Sequence, residues 1–271
     1  MHDISSLPLG VFDSGIGGLT VVHSLLQTLP HENIIYFGDT ARVPYGPKSP
    51  ETVRSYAKQD AHFLVSQQVK MIVIACNTVS AVALDVVQKE ANVPVVGVIV
   101  PGAKSAIQSS KKKRIGVIGT KATIASNAYT NAIRLFDSDA KVFGKACPLF
   151  VPLAEEGLTN HQATEMIAKE YLFSFKQEKI DTLVLGCTHY PILSPIIQKS
   201  VGEDVTLIDS GVAVAEEVQQ LLEEKNLRNT SKHKPNILFY VSDVPEKFTE
   251  VGERFLGMKM GKVRRAEGFL I

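Results

Sequence analysis

Two cysteines of this chain stand in matching surroundings. The stretch Asp181-Thr182-Leu183-Val184-Leu185-Gly186-Cys187-Thr188-His189-Tyr190-Pro191 opens with an apolar run and closes in small polar residues around one thiol. The run 182–185 has the character of a buried parallel strand, and Pro191 with the run 192–201 reads as a helix. Cys187 is therefore expected where a strand ends and a helix begins, which is where open α/β sheets bind ligands. Lys70-Met71-Ile72-Val73-Ile74-Ala75-Cys76-Asn77-Thr78 repeats the design, with a helix pattern following through Ala91. Two thiols facing one cleft can do proton transfer at carbon. One, as thiolate, takes a proton from one face while the other, as thiol, delivers a proton to the opposite face. A helix N-terminus or a nearby cation helps to form the thiolate, and His189, two residues past Cys187, is placed to assist as acid or base. Either cysteine alone would read as core packing; the pair at equivalent strand ends points to chemistry. Cys147, before Pro148, lacks that context and reads as structural.

Other polar residues gather at the same kind of position. Asp13-Ser14-Gly15-Ile16-Gly17-Gly18 invites a dinucleotide reading, with Asp39 imitating a ribose-binding acid, but Thr20 stands where the third glycine should be. Asp13 at the mouth of that loop would oppose a pyrophosphate. It suits an ammonium group instead, or could orient or activate Cys76 across the cleft. Under either reading the glycines allow a tight strand–helix turn. Ser14, Asn77, Thr78, Thr120 and Thr188 all fall at strand ends, where hydroxyls, amides and backbone N–H groups bind carboxylates or cap helices. Tyr45-Gly46, in a proline-rich loop, is placed to close over a small ligand or to make an ordinary turn. Lys111-Lys112-Lys113-Arg114 reads as a solvated face.

The elements that must position these groups alternate along the chain. Strands are expected at 8–12, 33–37, 94–98, 114–119 and 205–208, besides the two cysteine strands. Helices are expected at 19–29, from Ser49-Pro50-Glu51 to about 68, and from 209 to about 224. Pro101-Gly102 is expected to punctuate. Residues 225–235 read as a polar loop, followed by a last strand at 237–241 and a helix at 245–256. Strand, small polar turn and helix recur at Leu9 and again at Arg114, which suggests a duplication. The expected fold is α/β: two similar lobes with mainly parallel sheets related by a pseudo-twofold axis, the active site in the cleft between them. Residues 1–98 with 209–271 form the first lobe and residues 99–208 the second.

With 271 residues, 45% of them hydrophobic, and a net charge of +1, there is ample core and no call for nucleic acid or an anionic membrane. No apolar run reaches membrane-spanning length. The opening Met1-His2-Asp3-Ile4-Ser5-Ser6 lacks the order of a signal peptide. Three widely spaced cysteines argue against a disulfide framework and for a reducing cytosol. No C-x-x-C pair or H-E-x-x-H supports a metal site.

The motifs as a set resemble the aspartate/glutamate racemase superfamily, over nearly the whole chain. The matching pieces are the Asp13–Gly18 turn with Leu19-Thr20, Val43-Pro44-Tyr45-Gly46, Ala75-Cys76-Asn77-Thr78, Ile118-Gly119-Thr120, Phe150-Val151-Pro152-Leu153-Ala154-Glu155 and Leu185-Gly186-Cys187-Thr188-His189-Tyr190-Pro191. The resemblance implies a cofactor-independent isomerase that interconverts L- and D-glutamate and supplies D-glutamate for peptidoglycan. It implies Cys76 and Cys187 as the acid/base thiols, assisted by Asp13, Glu155 and His189. The implied pocket is lined by Asp13, Ser14, Tyr45, Gly46, Asn77, Thr78, Thr188 and His189, and a homodimer is common in the family. The short N-terminus lacks the extension found in family members activated by a cell-wall precursor, which argues against such activation here. Aspartate racemisation, and a non-enzymatic amino-acid-binding protein on the same fold, are the alternatives.

Overall fold

The computed structural model describes residues 4–231, 234–267 and 269. Strands β1 (Leu9–Asp13), β2 (Ile34–Gly38), β3 (Met71–Ile74) and β4 (Val95–Gly97) belong to one sheet. Strands β5 (Arg114–Gly119), β6 (Lys141–Ala146), β7 (Thr182–Gly186) and β8 (Thr206–Asp209) make a second, and β9 (Ile237–Val241) and β10 (Val263–Arg265) return to the first. Every pairing in both sheets is parallel. The second sheet runs β6-β5-β7-β8, and the first runs β2-β1-β3-β4 with β9 and β10 added beyond β2. The two sheets thus share one winding order, and the thiols follow the third strand of each.

The central strands β1, β2, β3 and β7 are buried at every residue. That is the condition of a parallel sheet covered on both faces, and it accounts for their unbroken apolar runs. The covering helices are α1 (Leu19–Thr28), α2 (Pro50–Ser66), α3 (Asn77–Val82), α4 (Leu84–Glu90) and α5 (Ile99–Ser109), then α6 (Lys121–Ala125), α7 (Ala128–Phe136), α8 (Phe150–Glu155), α9 (Gln162–Gln177) and α10 (Ser194–Val201), and finally α11 (Ser210–Glu224) and α12 (Pro245–Leu256). One core cluster runs through both lobes, from Leu9 and Val11 of β1 through Leu19 of α1 and Val214 of α11 to Leu183 and Leu185 of β7. Apolar packing thus joins the lobes at one side.

Several expected boundaries shift. Pro101 and Gly102 lie inside the first turn of α5, whose leading N–H groups have no intrahelical partner, so a proline there removes nothing. The helix after Cys76 is two helices, because Ala83 leaves helical backbone with φ −137°. After Cys187 the chain makes a 3₁₀ turn, Tyr190–Leu193, before α10 begins. β6 and β10 are edge strands with exposed polar residues, which hides them from an apolar pattern. In the polar loop 225–235, residues 232 and 233 lie outside the described residues.

A buried ion pair ties the returning chain down. Lys70 Nζ lies 2.5 Å from Glu32 Oε2, both side chains essentially inaccessible. Lys70 also donates to the Leu227 carbonyl at 2.9 Å, and Glu32 Oε1 accepts the Asn229 N–H at 2.7 Å. Lys70→Met strands a buried carboxylate and is expected to cost about 3–5 kcal/mol in denaturant unfolding. Adding Glu32→Leu should recover part of that loss; a single variant as stable as the native chain would show the pair to be dispensable.

Candidate active site

A cavity of about 430 Å³ opens between the ends of the two sheets, and both Cys76 and Cys187 line it. Cys76 caps α3, its carbonyl accepting the Ser80 N–H at 2.9 Å. Cys187 follows β7 directly. Their relative exposures are 5% and 6%, so each thiol is nearly withdrawn from water yet faces the cavity.

Their electrical surroundings are opposed. Cys187 Sγ lies 3.8 Å from His189 Nδ1, and His189 Nε2 lies 2.8 Å from Glu155 Oε1 at the end of α8. Burial alone would discharge the imidazole. The hydrogen bonds to Cys187 and then Glu155 overrule it, and the His189 pKa is pushed up to about 10. Phe255 of α12 meets the same ring edge-on, centroids 5.3 Å apart. Cys76 Sγ instead lies 3.8 Å from Ser14 Oγ. Burial, and after it the charge of Asp13, hold the Cys76 thiol well above the ordinary thiol range.

Asp13 does not stand across the cleft from Cys76. Strands β1 and β3 are neighbours in the first sheet, so Asp13 and Cys76 sit side by side on one wall. Asp13 is 1% exposed, accepts the Gly15 N–H at 3.1 Å, and is not among the residues lining the cavity. Burial raises its pKa, opposed chiefly by His189. The glycine turn after it lets the lobes touch: a Cβ on Gly17 would overlap Thr188 Oγ1 and the His189 ring. That close approach explains the glycines without any dinucleotide.

The hydroxyls expected at strand ends do converge. Thr78 Oγ1 lies 2.9 Å from Thr120 Oγ1, which lies 3.0 Å from Thr123 Oγ1, a chain of hydroxyls from one lobe to the other. Asn77 Oδ1 accepts the Tyr129 hydroxyl at 2.7 Å, and Thr188 adds a further polar group to the cavity. The Tyr45 ring lines the wall, but its hydroxyl points away to Asp39 and Asp60. Gly46 reaches the second lobe, its carbonyl accepting the Ala122 N–H at 3.2 Å. Sequence reasoning passed over Lys121, Pro148, Val151 and Pro152, which also line the cavity. Their one signal is position beside Thr120 or within the segment leading to Glu155. Cys147 is fully buried, away from the lining, and burial pushes its pKa up to about 12. Arg114 and Lys113 pair with Glu178 and Asp137. Among the described residues, no group of three or more His, Cys, Asp or Glu side chains is placed to hold a metal ion, and no helix is long and apolar enough to cross a membrane.

Two parallel α/β lobes share one cavity, with a thiol from each, at the strand ends where sheets of this kind bind small molecules. Comparison with known proteins gives the chain its family. Residues 11–218 match the model of the Asp/Glu/Hydantoin racemase family. The glutamate racemase of Chlorobaculum tepidum is 55% identical over 264 residues, 97% of each chain. The crystal structure of glutamate racemase from Francisella tularensis in complex with D-glutamate superposes with a TM-score of 0.89 at 46% identity, covering 96% of this chain and 97% of that one. Glutamate racemase isoform RacE1 from Bacillus anthracis gives 0.92 at 40% identity over the same shares. The chain belongs to the Asp/Glu/Hydantoin racemase family and is an isomerase.

The His189 environment sets a pH dependence. Its folded pKa of about 10 lies above the ordinary 6.5, so its contribution to stability is full below about pH 6.5 and is lost as pH rises through about 10. In isotope-labelled protein, the His189 ring should remain protonated at pH 8 by NMR, and Glu155→Gln should lower its midpoint. A native midpoint near 6.5 would remove the imidazolium from the site.

Proposed function

We propose that this chain is a glutamate racemase, moving the Cα proton between Cys76 and Cys187 without a cofactor. The observation that carries the reading is the pair of thiols, one per lobe, brought to one cavity from equivalent strand ends. The relatives named as glutamate racemases, one of them solved with D-glutamate, supply the substrate.

In the L-to-D direction Cys187 is the base, its negative charge held by the His189 imidazolium. The Cα–H bond breaks and an S–H bond forms at Cys187. Cys76, kept as a thiol by burial and by Asp13, then delivers its proton to the opposite face of Cα. The protein is left with the two protonation states exchanged, and from there it takes D-glutamate by the reverse path. Water exclusion matters because the α-proton is weakly acidic and a desolvated thiolate held close is the stronger base. The substrate ammonium is the counter-charge expected for Asp13 beside Cys76. Ser14, Asn77, Thr78, Thr120 and Thr188, with the backbone of Tyr45 and Gly46, seat the two carboxylates. We keep the lobe division at 1–98 with 209–271 and at 99–208, supported by the pairing of β9 with β2. Supply of D-glutamate to peptidoglycan, action in the cytoplasm and a homodimeric state complete the proposal and rest on the family likeness.

Cys76→Ser and Cys187→Ser should each abolish racemisation, because each direction needs one base and one acid and serine is a far weaker base at neutral pH. In heavy water the native protein should place deuterium at Cα of the product. Cys76→Ser should retain at most slow exchange of L-glutamate, and Cys187→Ser of D-glutamate. Near-native racemisation in both directions by either variant would end the two-thiol assignment.

Activity should survive exhaustive chelation and need no added pyridoxal phosphate or nicotinamide; loss restored by a metal would count against the mechanism. Faster turnover of aspartate than of glutamate would move the substrate to the aspartate alternative.

A further inference from the structure

Residues 43–47 form one continuous part of the cavity wall, yet they are loop, between β2 and α2. A loop seats a substrate well only if something outside the site fixes it. What fixes this one is a buried polar set on its far side. Arg42 donates from Nε to Asp39 Oδ2 at 2.6 Å, from Nη1 to Gln59 Oε1 at 2.7 Å and from Nη2 to Asp60 Oδ1 at 3.0 Å. Its guanidinium also lies over the Tyr56 ring, 4.1 Å from the centroid, and near Phe269 at 4.8 Å. Tyr45, within the loop, sends its hydroxyl into the same set, hydrogen-bonded to Asp39 Oδ2 and 3.2 Å from Asp60 Oδ2.

This set is dry. Asp39 and Asp60 are fully buried, and Tyr45 is 1% exposed. Burial, then the neighbouring Asp39, push the Asp60 carboxyl well above the usual carboxylate range, opposed by the Arg42 guanidinium. The chain is thereby pinned at 42 and again at 45, on either side of Val43 and Pro44, while Gly46 is held from the second lobe by Ala122. Among the described residues the Tyr45 and Gly46 backbone N–H groups find no partner, although the residues carrying them line the cavity. Val43 N–H likewise finds no partner among the described residues, and Pro44 and Pro47 contribute no N–H at all, so the loop's donors are Val43, Tyr45 and Gly46, the last two consecutive.

We infer that Arg42, Asp60 and the Tyr45 hydroxyl are positioning residues, holding the 43–47 loop so that its free amides meet a substrate carboxylate. The inference rests on the proposed glutamate racemisation. It assigns the Tyr45 hydroxyl to the scaffold and leaves its backbone to the substrate. The ordering of the loop is then completed on folding and does not weaken binding. Uniform binding of this kind sets KM more than kcat.

The test is steady-state racemisation of both enantiomers by the native chain, Tyr45→Phe and Arg42→Lys, with thermal melts of each. Tyr45→Phe keeps the ring against the wall and removes only the hydroxyl. It should raise KM about tenfold for L- and D-glutamate alike while kcat stays within about threefold of native. Arg42→Lys should raise KM by at least as much, because an ammonium cannot hold Asp39 and Asp60 in one plane. Tyr45→Phe with Asp60→Asn relieves the carboxyl pair and should restore the melting temperature while KM stays raised. If Tyr45→Phe does not fold, Gln59→Ala leaves every buried charge in place and should still raise KM about threefold. A lowered melting temperature with native KM would overturn the inference, as would a fall in kcat at unchanged KM. A native chain that does not racemise glutamate would sink the proposed function itself, a result separate from either of these.

Discussion

A buried imidazole keeps its proton only beside groups that share it, and His189 has two such partners, Cys187 and Glu155. Much of the second lobe follows from this need. The imidazole is itself buried and would discharge if left alone. It holds its proton through hydrogen bonds to Cys187 and to Glu155. Glu155 comes from the end of α8, whose last carbonyls are met by Arg254 of α12, at 3.4 Å for Ala154 and 3.1 Å for Glu155. The neighbouring Phe255 closes the other side of the ring. Helix α12 packs on α1 of the first lobe, so the charge beside Cys187 depends on chain from both halves.

The shared winding of the two sheets supplies the geometry that one lobe could not. Two parallel sheets of the same strand order each present the end of their third strand at the cavity. A single sheet offers several strand ends on one wall, as Asp13 and Cys76 illustrate. Opposite faces of one carbon need two walls. The common core around α1 and α11 and the bare Cα of Gly17 bring those walls into contact. The hydroxyl chain from Thr78 to Thr120 joins them again on the other side of the cavity.

What the sequence displayed was what burial imposes on it. β1, β3 and β7 are covered on both faces, so their apolar runs are unbroken and the thiols after them stand out. β6 is half-exposed and reads as polar chain, and it went unseen for that reason. The break at Ala83 and the tolerance of Pro101 in α5 are matters of backbone geometry that composition does not carry. The site was legible in its residue types and illegible in its electrostatics. Nothing near Cys187 in sequence announces Glu155, which entered through family likeness alone. Asp13 and Cys76 become neighbours only in the sheet order, where β1 pairs with β3, so their same-wall placement cannot be read along the sequence. Tyr45 lies in the loop that lines the cavity, but which way its hydroxyl points is decided by Asp39, Arg42 and Asp60 together.

The opposed surroundings of the thiols cannot favour one product. L- and D-glutamate have equal free energy in water, so whatever lowers the barrier in one direction lowers it equally in the other, measured from free protein and free substrate. The asymmetry acts instead on the empty protein. Burial and the charge of Asp13 keep the proton on Cys76, the form that accepts L-glutamate in the proposed cycle. In that proposed cycle one L-to-D turnover leaves the opposite form, with a proton on Cys187 and a charge on Cys76 beside Asp13. Burial and Asp13 oppose a charge on Cys76, so the proposed cycle has that form revert before a second L-glutamate is turned over. Reversion requires a proton to leave Cys187, which is 6% exposed. The Cys187–His189–Glu155 line ends in a carboxylate whose side chain is 38% exposed. The partners of Cys187 thus also connect that buried thiol to water, which a salt bridge sealed in the core could not do.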